Sequence, residues 1–466
     1  MLSRQTECGN PLDLPVLIMS LIDSLSYKYV LLCLCAAFVI AGCAGSEKAG
    51  DKKPFIIERG EPKPQHLVLA ESDSSVKSVQ LYLTSRGANS DYDTPSGAEA
   101  QFPILSVGTN DALQLEFDML GDQSRPLSVY FYHADANWQR DLSPAEYLGI
   151  FHRDDILNYI PSRSTDISYT HYSYQFPNDG ISFLLSGNYI IRVTEMGREN
   201  DVLFERPFFV AEQNTSLQLG IENLLIGQGG FSAVQPVVLF IPPPGLDANV
   251  FDFKACFVRN GRFEKPRCVD QPSLIQQPSL RFYLQPDQAF EPVTADYFLD
   301  ISDLRVGNRV ARIAFQEAPI YVTLEPDYAR FPGDPLDPEL YGQTIISEEV
   351  TDYSDADVSA EYVRVLFSYV TESGGKVPND VYLVGSFSGW QVEPENRLFW
   401  NEDERRYEVE VLLKQGQYDY RYVAGSDRLP RGTVSRPNNL YTALVYYNDI
   451  RYNTDRLLSI GGFIGR

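Results

Sequence analysis

Short runs in which apolar and polar residues alternate one by one, broken by turn residues, recur along most of this chain, and this period of two constrains the fold more than any other feature. "LQLEF" from Leu113 sends Leu113, Leu115 and Phe117 one way and Gln114 and Glu116 the other, the pattern of a strand with one buried and one wetted face. "LSVYFYH" from Leu127 repeats it with Leu127, Val129 and Phe131 inward, and "GNYIIRVTE" from Gly187 and "FERPFFVAE" from Phe204 follow. A second group runs from "TSLQLGI" near Thr215 through "QPVVLFIPPPG" and "FDFKACFVRNGRF" to "PIYVTLEPDYARF" near Phe331. A third comprises "EYVRVLFSYV", "DVYLVGSFSGW", "RRYEVEVLL", "GQYDYRYV" and "YTALVYYNDIRY". The 29 Tyr and 26 Phe favour strands, and 30 Pro and 32 Gly supply the punctuation. The spacing predicts an all-β protein of tandem immunoglobulin-like β-sandwiches, and a length of 466 residues accommodates about three of them.

The expected division is an export signal at 1–42, a tether at 43–75, sandwiches at 76–212 and 213–345, a linker at 346–360 and a last sandwich at 361–466. Acidic "EEVTDYSDAD" marks the linker. Its Asp352, Asp355 and Asp357 lack the glycine and closing glutamate of an EF-hand loop, which leaves a solvated connector as the expectation. Gly187-Asn188-Tyr189 and Gly416-Gln417-Tyr418 occupy similar late positions in the first and last units.

A net charge of −24, with 10 Lys against 29 Arg, gives a carboxylate-rich surface that repels phosphate backbones and excludes nucleic acid as a partner. Tyr29 to Ala41 is a thirteen-residue apolar run after Lys28, too short to span a bilayer and of signal-peptide size. Met19 is a candidate start. The run ends in Ile40-Ala41-Gly42-Cys43, which resembles the bacterial lipobox. The resemblance implies a lipid on Cys43, and Ala44, in place of the inner-membrane retention Asp, implies the outer membrane. Once the signal is removed, Cys43, Cys256 and Cys268 remain. Export makes a Cys256–Cys268 disulfide available, yet a two-residue turn at Asn260-Gly261 would leave Cys268 three positions out of register. A bonded pair and two buried thiols both stay open.

Catalytic signatures are missing. The chain has no Gly-x-Ser-x-Gly elbow, phosphate loop, His-Glu-x-x-His or Cys-x-x-Cys pair. His133 continues the inward face of its strand and reads as a core histidine. Neither a catalytic residue, a cofactor nor a metal is expected.

"FYHADANWQRDLSPAEYLGIF", "NYIPSRSTDISYTHYSYQFPN" and "LSGNYIIRVTE" follow one another in order, and the series resembles the plug protein family of the type IX secretion system over residues 76–212. The matching residues are His133, Trp138, Tyr147, Tyr169, Thr170, His171, Tyr172, Phe176, Pro177, Asn178, Ser186, Gly187, Asn188 and Tyr189, with Asn137 where an Asp usually precedes the tryptophan. Their residue types read as architectural, Trp138 capping a sandwich end and Phe-Pro-Asn and Ser-Gly-Asn forming turns. "VYLVGSFSGW" and "YEVEVLLKQGQYDYRYVAG" resemble early-set immunoglobulin-like domains of the glycogen-binding type. Trp390 and Arg421 match two sugar-holding positions there, while the second stacking tryptophan is missing after Gly425, so carbohydrate binding is not expected. Together the resemblances imply a non-catalytic, lipid-anchored plug on the periplasmic face of the outer membrane, whose partner is the type IX translocon barrel. The alternative reading is an outer-membrane glycan-binding lipoprotein using Trp390 and Trp400.

Overall fold

In the computed structural model the alternating runs become strands, and the strand Asp111–Leu120 shows what alternation alone does not reveal. Leu113, Leu115, Phe117 and Met119 enter the core as expected, but Gln114, Glu116 and Asp118 on the opposite face are buried as well. A second layer of protein covers the polar face. The structure describes residues 67–85, 102–213, 215, 217–226, 231–246, 248–290, 296–329, 340–349, 355–425, 427–429 and 438–465. The signal segment, Met19, Cys43 and the tether up to residue 66 lie outside them, as does Asp352.

Among the described residues, six sheets pair into three sandwiches. In the first, Val76–Ser85, Asp111–Leu120, Tyr169–Phe176 and Asn158–Pro161 form one sheet. Ile104–Ser106, Val202–Ala211, Gly187–Glu195, Leu127–Ala134 and Arg153–Ile156 form the other. Phe117, Phe131, Tyr172, Phe176, Tyr189 and Phe208 interlock between them.

Strand pairing departs from the expected linear division. Asn439–Asp449 and Thr454–Gly465, expected within 361–466, extend the sheet of Phe253–Arg259 and Arg267–Val269. That sheet faces the one built from Leu217–Ile226, Phe231–Phe240, Ser279–Tyr283 and Leu274–Gln276. Conversely, Tyr297–Asp300 and Tyr321–Leu324, expected within 213–345, pair with Gly416–Ala424 and Tyr362–Val370. The third sandwich is thus nested in sequence between two segments that build the middle one. Alternation fixes which face of a strand is apolar but not which strand lies beside it. Here Tyr441, Ala443 and Val445 bury against Phe253, Ala255 and Phe257.

The acidic stretch is also not a free connector where it is described. Asp355 caps a single helical turn, Ala356–Ser359, and this turn docks on the first sandwich. Val358 O accepts from the Arg163 amide at 2.8 Å, and Ala360 O accepts from the Tyr169 hydroxyl at 3.0 Å. Cys256 lies directly opposite Cys268 in register and is joined to it as a disulfide. Residues 260–266 form the loop between the two strands, longer than the two-residue turn considered from sequence, and the added length brings Cys268 into line.

Candidate functional site

The residues singled out in the sequence fall into the two junctions that the first sandwich makes and into the core that supports them. At the junction with the third sandwich, Asp118 and His171 stand opposite each other on neighbouring strands, and His171 Nδ1 is 2.8 Å from Asp118 Oδ1. The other Asp118 oxygen accepts from Lys414 Nζ at 2.7 Å and from the Tyr362 hydroxyl at 2.7 Å. Asp118 is 0% exposed and Lys414 1%. Burial works against the Asp118 charge, but Lys414 and His171 outweigh it and hold the carboxyl below its ordinary range. Burial likewise opposes charge on His171, and Asp118 more than reverses this, raising the imidazole pKa. Tyr169 places its ring 4.4 Å below the Lys414 ammonium. Thr170 is buried beside it, and Tyr172 stacks on Phe117 while its hydroxyl donates to Arg125 O at 2.9 Å.

At the junction with the middle sandwich, Trp138 adopts a left-handed φ of 62° and packs edge-on against Phe209 in a cluster with Val258, Phe263 and Tyr446. Asn188 donates to Asp135 O at 3.0 Å and accepts from the Tyr446 hydroxyl at 2.7 Å. Ser186 donates to Glu212, which Arg456 also grips. His133 is a buried core histidine whose Nδ1 is 2.8 Å from Asp141, and Asp141 in turn accepts from the Thr454 hydroxyl of the middle sandwich. Trp138 thus packs between sandwiches rather than capping the end of one. Trp138→Ala, which empties a buried aromatic site, is expected to cost about 3–5 kcal/mol, read as a lower urea midpoint.

The remaining motif residues shape the core. The Tyr147 hydroxyl donates to Phe131 O at 2.8 Å, and Phe176 packs against Phe131, Phe183 and Phe208. After Pro177, Asn178 Oδ1 accepts the amides of Gly180 and Ile181 and so closes the turn. Gly187 and Gly416 prove to be equivalent. Their φ angles are 156° and 152°, and the tyrosine two residues on donates to the carbonyl four residues upstream of itself, Tyr189 to Leu185 at 2.7 Å and Tyr418 to Lys414 at 2.6 Å.

Trp390 and Arg421 come together, but not as an open sugar shelf. The guanidinium of Arg262, carried by the loop after Phe253–Arg259 of the middle sandwich, lies 3.0 Å above the Trp390 ring, and Arg421 lies 5.1 Å from it. Both arginines bind Asp296, and the indole N–H donates to Gly342 O at 2.9 Å. Trp400 is elsewhere, edge-on to Tyr407. With its face taken by Arg262, Trp390 serves as the seam between the middle and third sandwiches. Asp419 sits behind that seam, 5% exposed, and burial, aided by the Asp296 charge, pushes its pKa up to about 7. A raised acid favours the fold below the ordinary carboxylate range and loses that contribution as pH climbs through about 7, on the order of 4 kcal/mol. Asp419→Asn should therefore gain thermal stability relative to the parent as pH rises from 4 to 8, measured as the difference between their melting temperatures.

Residues 76–212 match the family model described as type 9 secretion system plug protein 1st domain. The match falls on the first sandwich. This match links the chain to type IX secretion and suggests a periplasmic or outer-membrane-associated location. A crystal structure of a hypothetical protein from Parabacteroides merdae ATCC 43184 shares the fold over 84% of this chain and 98% of its own, with a TM-score of 0.72 and 22% identity. Comparison with curated proteins gives no match.

Asp118, Tyr362 and Lys414 around the plug domain were not singled out in the sequence. Lys414 carries the one usable signal, a lysine in a lysine-poor chain placed at the end of the apolar run "VEVLLK", where an ammonium needs a partner.

Proposed function

We propose that this protein is a non-catalytic plug that closes the periplasmic mouth of the type IX translocon barrel in the outer membrane when no cargo is engaged. The observation that carries the reading is the match of residues 76–212 to the plug first-domain family. Support comes from how that domain is mounted. Its motif residues bind it to the middle sandwich through Trp138 and Asn188, and through Ser186 by way of Glu212 and Arg456, and to the third through Tyr169, beside the Asp118–Lys414 pair that His171 supports. A stopper has to resist deformation, and buried charge pairs and aromatic packing across both junctions provide stiffness that a flexible string of domains would lack. A lipid on Cys43 holds the plug near the membrane.

Deleting the gene should admit antibiotics normally held back by the outer membrane, with restoration by the wild-type gene. Unchanged permeability would count against the gate. Radiolabelled palmitate should mark the protein and fail to mark Cys43→Ala. Labelling that survives the substitution would remove Cys43 as the anchor.

A further inference from the structure

We propose that Glu116, His171 and Asp357 form a binding site for a divalent transition-metal ion, of the zinc class, that clamps the plug domain to the third sandwich. One donor atom from each lies within 4.8 Å of the others. Glu116 and His171 project from the polar face of adjacent strands of the plug domain, and Asp357 comes from the helical turn Ala356–Ser359 that docks opposite them.

The histidine is set up as a ligand. Asp118 engages Nδ1 at 2.8 Å, and a carboxylate on one ring nitrogen fixes the ring and directs the other nitrogen outward, the arrangement that supports metal-binding imidazoles. His171 is 7% exposed, yet its Nε2 has no hydrogen bond to any described residue. It faces Asp357 Oδ2 at 3.9 Å, too long for a direct hydrogen bond but a span that an ion about 2.1 Å from each donor can bridge. Glu116 accepts from the Tyr82 hydroxyl through Oε2, which orients its carboxylate.

The carboxylates of Asp118, Glu116 and Asp357 all lie around the His171 imidazole. One nitrogen and two carboxylate oxygens are a donor set for zinc and its neighbours rather than for calcium, which prefers oxygen alone. Asp357, with its side chain 36% exposed, leaves a path for the ion and room for water in the remaining coordination positions. The sequence could not show this site, because its third ligand lies in a stretch read as solvated linker.

The test uses tag-free mature protein, so that no polyhistidine competes. Co2+ titration should produce saturable visible absorption at one equivalent, Zn2+ should displace it, and Zn2+ should raise the melting temperature. Asp357→Asn and Glu116→Gln should each weaken Zn2+ binding at least about tenfold, while the metal-free Asp357→Asn protein melts with the parent. Absence of the cobalt bands, or binding that neither substitution changes, overturns the proposal. Because no barrel is present in the assay, its outcome is independent of the plug reading.

Discussion

Asp118→Ala is expected to destabilise the protein by about 3–5 kcal/mol, because it strands the Lys414 ammonium, 1% exposed, without its carboxylate. It also removes the acceptor of Tyr362 and the partner of His171. Removing both charges is a different operation. In Asp118→Leu with Lys414→Met neither member of the pair is left charged without its partner, and most of the lost stability should return. Urea denaturation of the single and double variants, followed by tyrosine fluorescence, checks this. The account requires the double variant to unfold later than either single one, and additive losses would mean that Asp118 and Lys414 do not act as a pair. Since the pair joins two sandwiches, the single variants should also expose the segment around Ala356–Ser359 to protease before the whole chain unfolds.

The second large effect concerns the paired glycines. A Cβ at Gly416 would overlap the carbonyl oxygen of Ile345 and lie 3.1 Å from Ile346 Cα, both backbone atoms of a neighbouring strand. At Gly187 it would overlap Nε2 of His133, which is held by Asp141. Both φ angles are costly for a residue with a side chain, adding about 1–3 kcal/mol. Gly416→Ala and Gly187→Ala should each lower the melting temperature sharply, Gly416→Ala the more, since backbone has nowhere to go while an imidazole can tilt. Tyr189→Phe and Tyr418→Phe, which delete matching hydroxyl bonds to carbonyls, should cost similar amounts, about 1–2 kcal/mol each. Unequal losses would show that the two Gly-x-Tyr corners are alike only in shape.

Much of this fold is legible in the chain. Period-two runs locate the strands, and Leu113, Leu115 and Phe117 identify their inner face. What escapes is partnership over long sequence distances. Lys414 finds Asp118 296 positions away, and Tyr446 finds Asn188 258 positions away. Alternation marks Gln114, Glu116 and Asp118 only as polar, and a polar face reads the same whether water or a second sandwich covers it. The nesting of the third sandwich is hidden for the same reason, as Asn439–Asp449 would satisfy any sheet with an apolar face to share. The Trp390 and Arg421 pair shows the converse limit. Sequence placed both correctly on the third sandwich, but Arg262, which covers the ring, comes from another part of the chain.

The claim of a plug is tested most directly by purifying the intact protein from detergent-solubilised outer membranes of cells that express it at its natural level and identifying what comes with it. The account predicts one dominant companion, a large β-barrel of the type IX secretion machinery, in a fixed ratio to the plug. Recovery of the protein alone, or with partners that include no such barrel, would contradict it.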